Sequence, residues 1–313
     1  YSRCSRSRSK AKPLTETAED GQECFVCERF VYESVAVMKA LIVEGGAMRG
    51  IFSAGILDAF IEQDYFDFDW FLGVSAGASN VAAYLGKQHG RNYRVYTDYC
   101  LRPQFKQWRR FLRGGDLIDI DWLWDITERE LPLDLAQLEE RAAKMLAVLT
   151  CAQSGDPHYL SPQAGELFQL IKASGTMPFA YKGKVELRGR QWFDGGVADS
   201  IPVAEAYRRG ARQMLILRSN PASYRKKAYG LKKLFPLLLR KYPGIARRLQ
   251  QRHDDYNRAL DFIHQPPADC EIHQICPPED FAADQFTTDT KVLHTAYLEG
   301  VQRGRNWLHN PAF

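Results

Sequence analysis

The 313-residue chain contains no apolar run of about 18 residues, so no membrane-spanning helix is expected. Its basic opening, "YSRCSRSRSKAK", is not followed by an apolar stretch and a small-residue cleavage site, so a secretory leader is not expected. Seven cysteines, an odd number scattered over a long chain, make no disulfide framework. Cys24-x-x-Cys27 is a lone pair, and no second pair or His-x3-His lies near enough to complete four zinc ligands. Free thiols in a reducing compartment follow, with a cytoplasmic location and no resident metal or cofactor as the expectation. The net basic charge is local. The net charge is +4, but Arg3, Arg6, Arg8, Lys10 and Lys12 supply five positive charges, leaving −1 on the rest. A general affinity for nucleic acid therefore has no electrostatic basis, and no nucleic-acid partner is expected.

Residues 1–37 mix Ser/Arg repeats with an acidic patch and show no sustained period, which marks a flexible extension. From Met38 the texture becomes that of a folded domain. Lys39–Glu44 reads as a buried strand, Gly45–Gly50 as a loop, Ile51–Gln63 as a helix with apolar positions at helical spacing, Trp70–Val74 as a second buried strand and Ser75–Leu85 as a second helix. Strand, helix, strand, helix at this spacing predicts an α/β fold around a parallel sheet. Further on, Asp134–Leu149 and Ser161–Ala173 read as helices. "KVELRGRQWFDGG" reads as two short strands about a turn at Arg188–Arg190. Gln213–Arg218 and Glu271–Cys276 read as strands, and Thr287–Leu308 as a final helix.

The run "DWFLGVSAGASNVAAYL" holds a Gly-x-Ser-x-Gly in Gly73, Ser75 and Gly77. Such a match arises by chance in about one chain in ten of this length, from ordinary residue frequencies. Its place is more telling, because it falls where an apolar strand passes into a helix. A sharp turn there forces the serine into a sparsely populated backbone conformation and lifts its hydroxyl off the sheet. The helix start adds N–H groups and a positive dipole end, which favour an alkoxide and a tetrahedral oxyanion.

A nucleophile also needs donors for that oxyanion, and a base. Gly45-Gly46-Ala47-Met48-Arg49-Gly50 follows one buried strand and opens a helix, at the same carboxyl edge of the sheet as Ser75. It lacks the Gly-Lys-Ser/Thr ending of a phosphate loop, and Ala47 stands where a dinucleotide fingerprint has its middle glycine. It suits a cradle of backbone donors, with Arg49 adding positive charge; a plain glycine turn is the competing reading. For the base, His253, His264, His273, His294 and His309 have no telling context. Asp194, delivered by Trp192-Phe193 into Gly195-Gly196, could take the serine's proton, although Asp-Gly is also an ordinary hairpin turn.

Together, "EGGAMRG", "GVSAG" and "DGG", with "ASGTMPF" ahead of the aspartate, resemble the patatin-like phospholipase family over roughly Met38 to Arg218. The resemblance implies a three-layer fold with a mostly parallel central sheet flanked by helices, a catalytic domain over 38–218 and a basic, helical extension over 219–313 packed on the core. It implies a lipid acyl hydrolase that works through a Ser–Asp dyad and an acyl-enzyme. Ser75 would be the nucleophile and Asp194 the base. Gly45, Gly46 and Ala47 would give N–H donors with Arg49 in support, inside a motif that includes Gly50, Gly73, Gly77, Gly195 and Gly196, with no metal. Many family members have glycine where Ala47 stands, though alanine still offers its N–H. Two readings stay open beside it: a non-catalytic lipid- or partner-binding protein on the same fold, and a Ser-His-Asp hydrolase.

Two segments interleave basic with apolar and aromatic residues: Leu101–Gly115 and Tyr224–His253. They are expected to meet an anionic membrane surface peripherally, while a solvated face over the core is the plainer alternative.

Overall fold

The computed structural model describes residues 37–181, 183–230 and 232–313. The expectations for the segment 1–37, Val37 apart, and for Cys24 and Cys27 lie outside the described residues.

Apolar runs with turn residues between them generate the first half of the fold. Strand β1 (Met38–Val43) leads to helix α1 (Gly50–Glu62), β2 (Trp70–Val74) and α2 (Ala76–Leu85). The short α3 (Arg91–Arg94) continues into a π turn over Val95–Tyr99, and α4 (Trp108–Leu112), α5 (Ile120–Glu130) and α6 (Leu135–Ala142) follow. Then come β3 (Met145–Cys151), β4 (Pro157–Leu160), α7 (Leu167–Ser174), β5 (Val185–Leu187), β6 (Arg190–Asp194) and α8 (Val203–Arg208). The chain ends with β7 (Ala211–Leu217), α9 (Phe235–Leu238), α10 (Pro243–His264), β8 (Glu271–Ile275) and α11 (Thr290–His309).

The eight strands of the described residues join one sheet in the order β5-β6-β3-β2-β1-β7-β8, with β4 also pairing β3. The pairs from β3 through β2, β1 and β7 to β8 are parallel, and those of β3 with β4 and β6, and of β5 with β6, are antiparallel. Strand periodicity sorts the side chains into two cores. Leu41 and Val43 face α1 and α2, among Phe52, Ile56 and Val81. Ala40 and Ile42 face the opposite way, among Val203 and Ala206 of α8 and Tyr256, Leu260 and Ile263 of α10. Helices thus cover both faces of a mostly parallel sheet, the three-layer arrangement expected of the sequence. Helix α1 is buried from Gly50 to Phe60, Ser53 and Asp58 included, and α11 packs along it. The C-terminal part supplies an edge strand (β8) as well as helices on the core.

Two element readings need correction. The helix expected over Asp134–Leu149 stops at Ala142, and Met145–Cys151 is a strand with every residue buried. A strand covered on both faces reads as an unbroken apolar run, which periodicity cannot tell from a buried helix. The helix expected from Ser161 begins only at Leu167, after Pro162 and a positive-φ Gly165 (φ 78°). Strand β4 had no counterpart in the sequence reading.

Candidate active site

Register places Ser75 opposite Asp194. Val74, the last residue of β2, pairs with Val148 of β3, and the next β3 residue, Leu149, pairs with Asp194 at the end of β6. Ser75 follows Val74, so the two residues stand level on either side of β3, where the strand ends open into a cavity. Ser75 takes φ 54° and ψ −125°, the strained elbow anticipated at a strand-to-helix turn. Its backbone N–H donates to Ser174 Oγ (2.9 Å), and Ser174 Oγ donates to the Val148 carbonyl (2.7 Å). Ser174 is fully buried, so a side chain from the end of α7 ties the elbow to the central strand.

Asp194 is 1% exposed. Its carboxylate accepts a hydrogen bond from the Gly196 N–H (2.7 Å). Burial is the largest influence on it and raises its pKa above the ordinary 3.8; the neighbouring Ser75 side chain, the Arg252 charge and the Gly196 N–H oppose that rise. The backbone around it is fixed by Asp194 N–H to the Thr176 carbonyl (3.0 Å) and Thr150 Oγ1 to the Asp194 carbonyl (2.8 Å). Gly195 must be glycine because an added Cβ would collide with the Val148 carbonyl over which it passes.

The loop after β1 lies against the elbow. A Cβ on Gly45 would come within 2.5 Å of the Val74 carbonyl oxygen and 2.9 Å of Ser75 Cβ, so only glycine permits this approach. Ala47–Arg49 form a 3-10 turn, and Ala47 has φ 49°. The N–H groups of Gly45, Gly46 and Ala47 make no hydrogen bond among the described residues, and all three residues line the cavity beside Ser75. Gly50 opens α1, Gly73 lies within β2, and Gly77 sits in the first turn of α2 against the Val43 carbonyl.

Arg49 does not reach into the cavity alone. Its Nη1 donates to Asn220 Oδ1 (2.6 Å), which joins it to a buried network under the loop. At the network's centre, Glu44 accepts from Arg218 Nε (3.1 Å), the Ser219 N–H (2.8 Å), Asn220 Nδ2 (3.1 Å) and the Tyr256 hydroxyl (2.7 Å). Ser219 Oγ donates to the Gly45 carbonyl (2.9 Å). Every lone-pair direction of the carboxylate is used, which is the condition for an ion pair this deeply buried to be tolerated. The glycine loop is therefore held from below by residues of β7's C-terminal end and of α10.

The cavity has a volume of about 270 Å³ and is predominantly apolar. Its apolar wall includes Met48, Phe105, Leu117, Ile120, Trp124 and Ile171. Lys226 and Arg252 line it too, and the Arg252 charge acts on Asp194. No histidine lines it: among the five considered as bases, His253 lies by Asp254, His273 by Glu271 and His294 by Tyr93. The Ser-His-Asp alternative thus has no base within reach of Ser75. Among the described residues no group of three or more His, Cys, Asp or Glu side chains is arranged to hold a metal ion.

The two basic segments both border this cavity. Phe105 and Lys106 line it from the first, with α4 following, where Trp108 and Leu112 are exposed. Arg252 lines it from the second and donates to the Tyr229 hydroxyl (2.6 Å), and Tyr229 packs edge-on against Phe235. Phe235 stacks on Phe179, and Leu237 and Leu238 beside it are exposed. No helix among the described residues is long and apolar enough to cross a membrane.

Sequence reasoning missed Ser174, Arg252 and the Glu44 network. Ser174 stood inside "ASGTMPF", quoted as a motif without a role. Arg252 is one of ten Lys and Arg residues in the Tyr224–His253 segment, and only the fold shows that it and Lys226 line the cavity.

Comparison with known proteins gives the family. The family description "Patatin-like phospholipase" matches residues 41–207, and a domain of unknown function, DUF6363, matches residues 242–310. The chain is 34% identical over 273 residues to YjjU, an uncharacterized protein of Escherichia coli (strain K12), covering 86% of this chain and 76% of that one. The crystal structure of VipD from Legionella pneumophila aligns with 13% identity and a TM-score of 0.35, covering 87% of this chain and 75% of that one. On the family match, which spans more than half of the chain, this protein belongs to the patatin-like phospholipase family.

Proposed function

We propose that the protein is a serine acyl-ester hydrolase acting on lipid, with a Ser75–Asp194 dyad and an acyl-enzyme intermediate. One observation carries this reading: the strand register sets Ser75, on a strained strand-to-helix elbow, level with the buried Asp194 carboxylate at an apolar cavity that no histidine lines. Asp194 takes the Ser75 proton as Ser75 Oγ bonds to the substrate's carbonyl carbon. The oxyanion that forms is met by the N–H groups of Gly45, Gly46 and Ala47, donors with no competing partner among the described residues. Each such donor contributes about 3 kcal/mol when charge develops in front of it. Arg49 adds positive charge and anchors the loop through Asn220. Collapse breaks the bond to the leaving alkoxide, which takes the proton from Asp194. Water then loses a proton to Asp194, attacks the acyl carbon, and Ser75 regains its hydrogen as the fatty acid leaves.

The apolar wall takes the acyl chain. The exposed Trp108, Leu112, Leu237 and Leu238, amid lysines and arginines at the cavity's borders, dock the protein on an anionic lipid surface from which the substrate enters.

The test is hydrolysis of p-nitrophenyl butyrate by purified protein. Ser75→Ala abolishes turnover, and Asp194→Asn lowers kcat by about a thousandfold, in the range of general-base losses. Turnover that survives Ser75→Ala contradicts the proposal, and a folded wild type that hydrolyses no ester favours a binding protein instead.

A further inference from the structure

We infer that Arg252, on α10, is a positioning residue of the dyad: it holds the Gly196 turn against which the Asp194 carboxylate rests, and it lends that buried carboxylate a positive charge without pairing with it. This rests on the hydrolase reading above and gives the segment 242–310, which matches a domain of unknown function, a part in the catalytic site.

Asp194 ends β6, and its Oδ1 accepts from the N–H of Gly196, two residues on (2.7 Å). The other side of Gly196 is held as well. Its carbonyl accepts from Arg252 Nε (2.5 Å) and from Ser200 Oγ (2.9 Å). Ser200 belongs to the same stretch of chain, so Arg252 is the tie that fixes the turn from another element. The groups stand close together: a Cβ added to Gly196 would lie 3.1 Å from Asp194 Oδ1 and 3.4 Å from Arg252 Nη2. Carboxylate and guanidinium thus flank a single glycine. The hydrogen-bond partners of Arg252 among the described residues are neutral, the Gly196 carbonyl and the Tyr229 hydroxyl (2.6 Å). One turn further along the same face of α10, Tyr256 is buried. Its hydroxyl donates to Glu44 (2.7 Å) and accepts from Arg218 Nη2 and Asn220 Nδ2 (3.1 Å each), which pins the helix at the level of the site.

A carboxylate buried at an apolar cavity favours its protonated form, which cannot take a proton from serine. A cation in direct contact would keep it ionised but would occupy the oxygen that must receive that proton. A cation set back by one glycine keeps the charge and leaves the oxygen free. The other charged groups of the cavity are committed elsewhere. Glu44 faces Arg218, Arg49 bonds Asn220, Lys106 bonds the Phe286 carbonyl (3.2 Å), and the Lys226 ammonium lies 4.7 Å from the centre of the Tyr256 ring. Of the acids on the neighbouring turn and on α10, Asp199 accepts from the Tyr159 hydroxyl (2.7 Å), and Asp255 lies by Arg248 (3.6 Å) and Arg258. The charge that acts on Asp194 is that of Arg252, and it opposes the rise in pKa that burial causes.

The test compares Arg252→Gln and Arg252→Lys with wild type on p-nitrophenyl butyrate, an uncharged ester, so that attraction of an anionic substrate plays no part. In Arg252→Gln the acid midpoint of kcat/KM rises by about one pH unit, the low end of the effect of an opposite charge close by. Its kcat above that midpoint falls about tenfold with KM little changed, the scale of one charge-assisted hydrogen bond lost from the turn. Arg252→Lys keeps the charge and holds the midpoint near that of wild type, while its kcat is lowered. A residue that only packs would lower Tm and leave the midpoint in place; melting curves show that each variant is folded. The same titration is read without turnover from the carboxyl carbon resonance of Asp194 in protein isotopically labelled at aspartate, assigned with Asp194→Asn. A midpoint and a resonance that do not move in folded Arg252→Gln overturn the inference. A midpoint as high in Arg252→Lys as in Arg252→Gln overturns the assignment to charge. A titration that moves in Arg252→Gln, in a protein with no Ser75-dependent turnover, keeps the coupling to Asp194 and rejects the hydrolase.

Discussion

Ser174→Ala tests how the elbow is held. The hydroxyl bridges the Ser75 N–H at 2.9 Å and the Val148 carbonyl at 2.7 Å in a fully buried position. Alanine removes both bonds and leaves a donor and an acceptor without a partner, each costing about 1–3 kcal/mol. Together they lower stability by about 2–6 kcal/mol, which at about 2 °C per kcal/mol for a domain of this size lowers Tm by roughly 4–12 °C. The kinetic effect is separate. Ser75 is held at φ 54°, a conformation that stores about 1–3 kcal/mol. With its N–H released, the residue can relax and turn its hydroxyl away from Asp194. The expected result is a fall in kcat of about ten- to a hundredfold on a short ester, a loss within the stored strain. KM changes little, because Ser174 does not line the cavity. The assay is steady-state hydrolysis at a temperature well below the variant's melting point. A variant with lowered Tm but wild-type kcat refutes the positioning role and leaves Ser174 a packing residue.

Two further outcomes follow from the site. Asp194 must be ionised to take the serine proton and burial raises its pKa above 3.8, so kcat/KM falls on acidification with a midpoint above that value; an acid limb at or below 3.8 argues against Asp194 as the base. In sedimentation with vesicles containing phosphatidylglycerol, the wild type pellets, whereas Leu112→Ser, Leu237→Ser, Leu238→Ser combined reduces binding at least about fivefold, from the apolar area removed; equal pelleting of the two proteins removes these residues from the membrane contact.

Much of this architecture is visible in the sequence, for identifiable reasons. Gly73–Gly77 and Gly45–Gly50 lie at abrupt changes from apolar strand to helix, and those changes are local. What joins them is not. Strand β3 separates Ser75 from Asp194 and sets their common level, yet its sequence, "MLAVLTC", carries no alternation because both its faces are covered. Asp194 could therefore be singled out by its Asp-Gly-Gly context, while its position opposite Ser75 depended on a strand that reads as helix. The Glu44 network has the same character: its members come from positions 44, 218, 219, 220 and 256, and no spacing rule links them. Arg252 lies on α10 with its guanidinium turned to Gly196, whereas Arg247 and Arg248 on the same helix bond the Ser154 and Gly155 carbonyls, a distinction that only tertiary packing makes.

The most direct measurement is the intact mass of the protein after incubation with a fluorophosphonate, followed by peptide mapping. The account predicts a single adduct on Ser75, formed quickly in wild type, slowly in Asp194→Asn and not at all in Ser75→Ala. A folded wild-type protein that stays unlabelled, or carries its adduct on another residue, contradicts it.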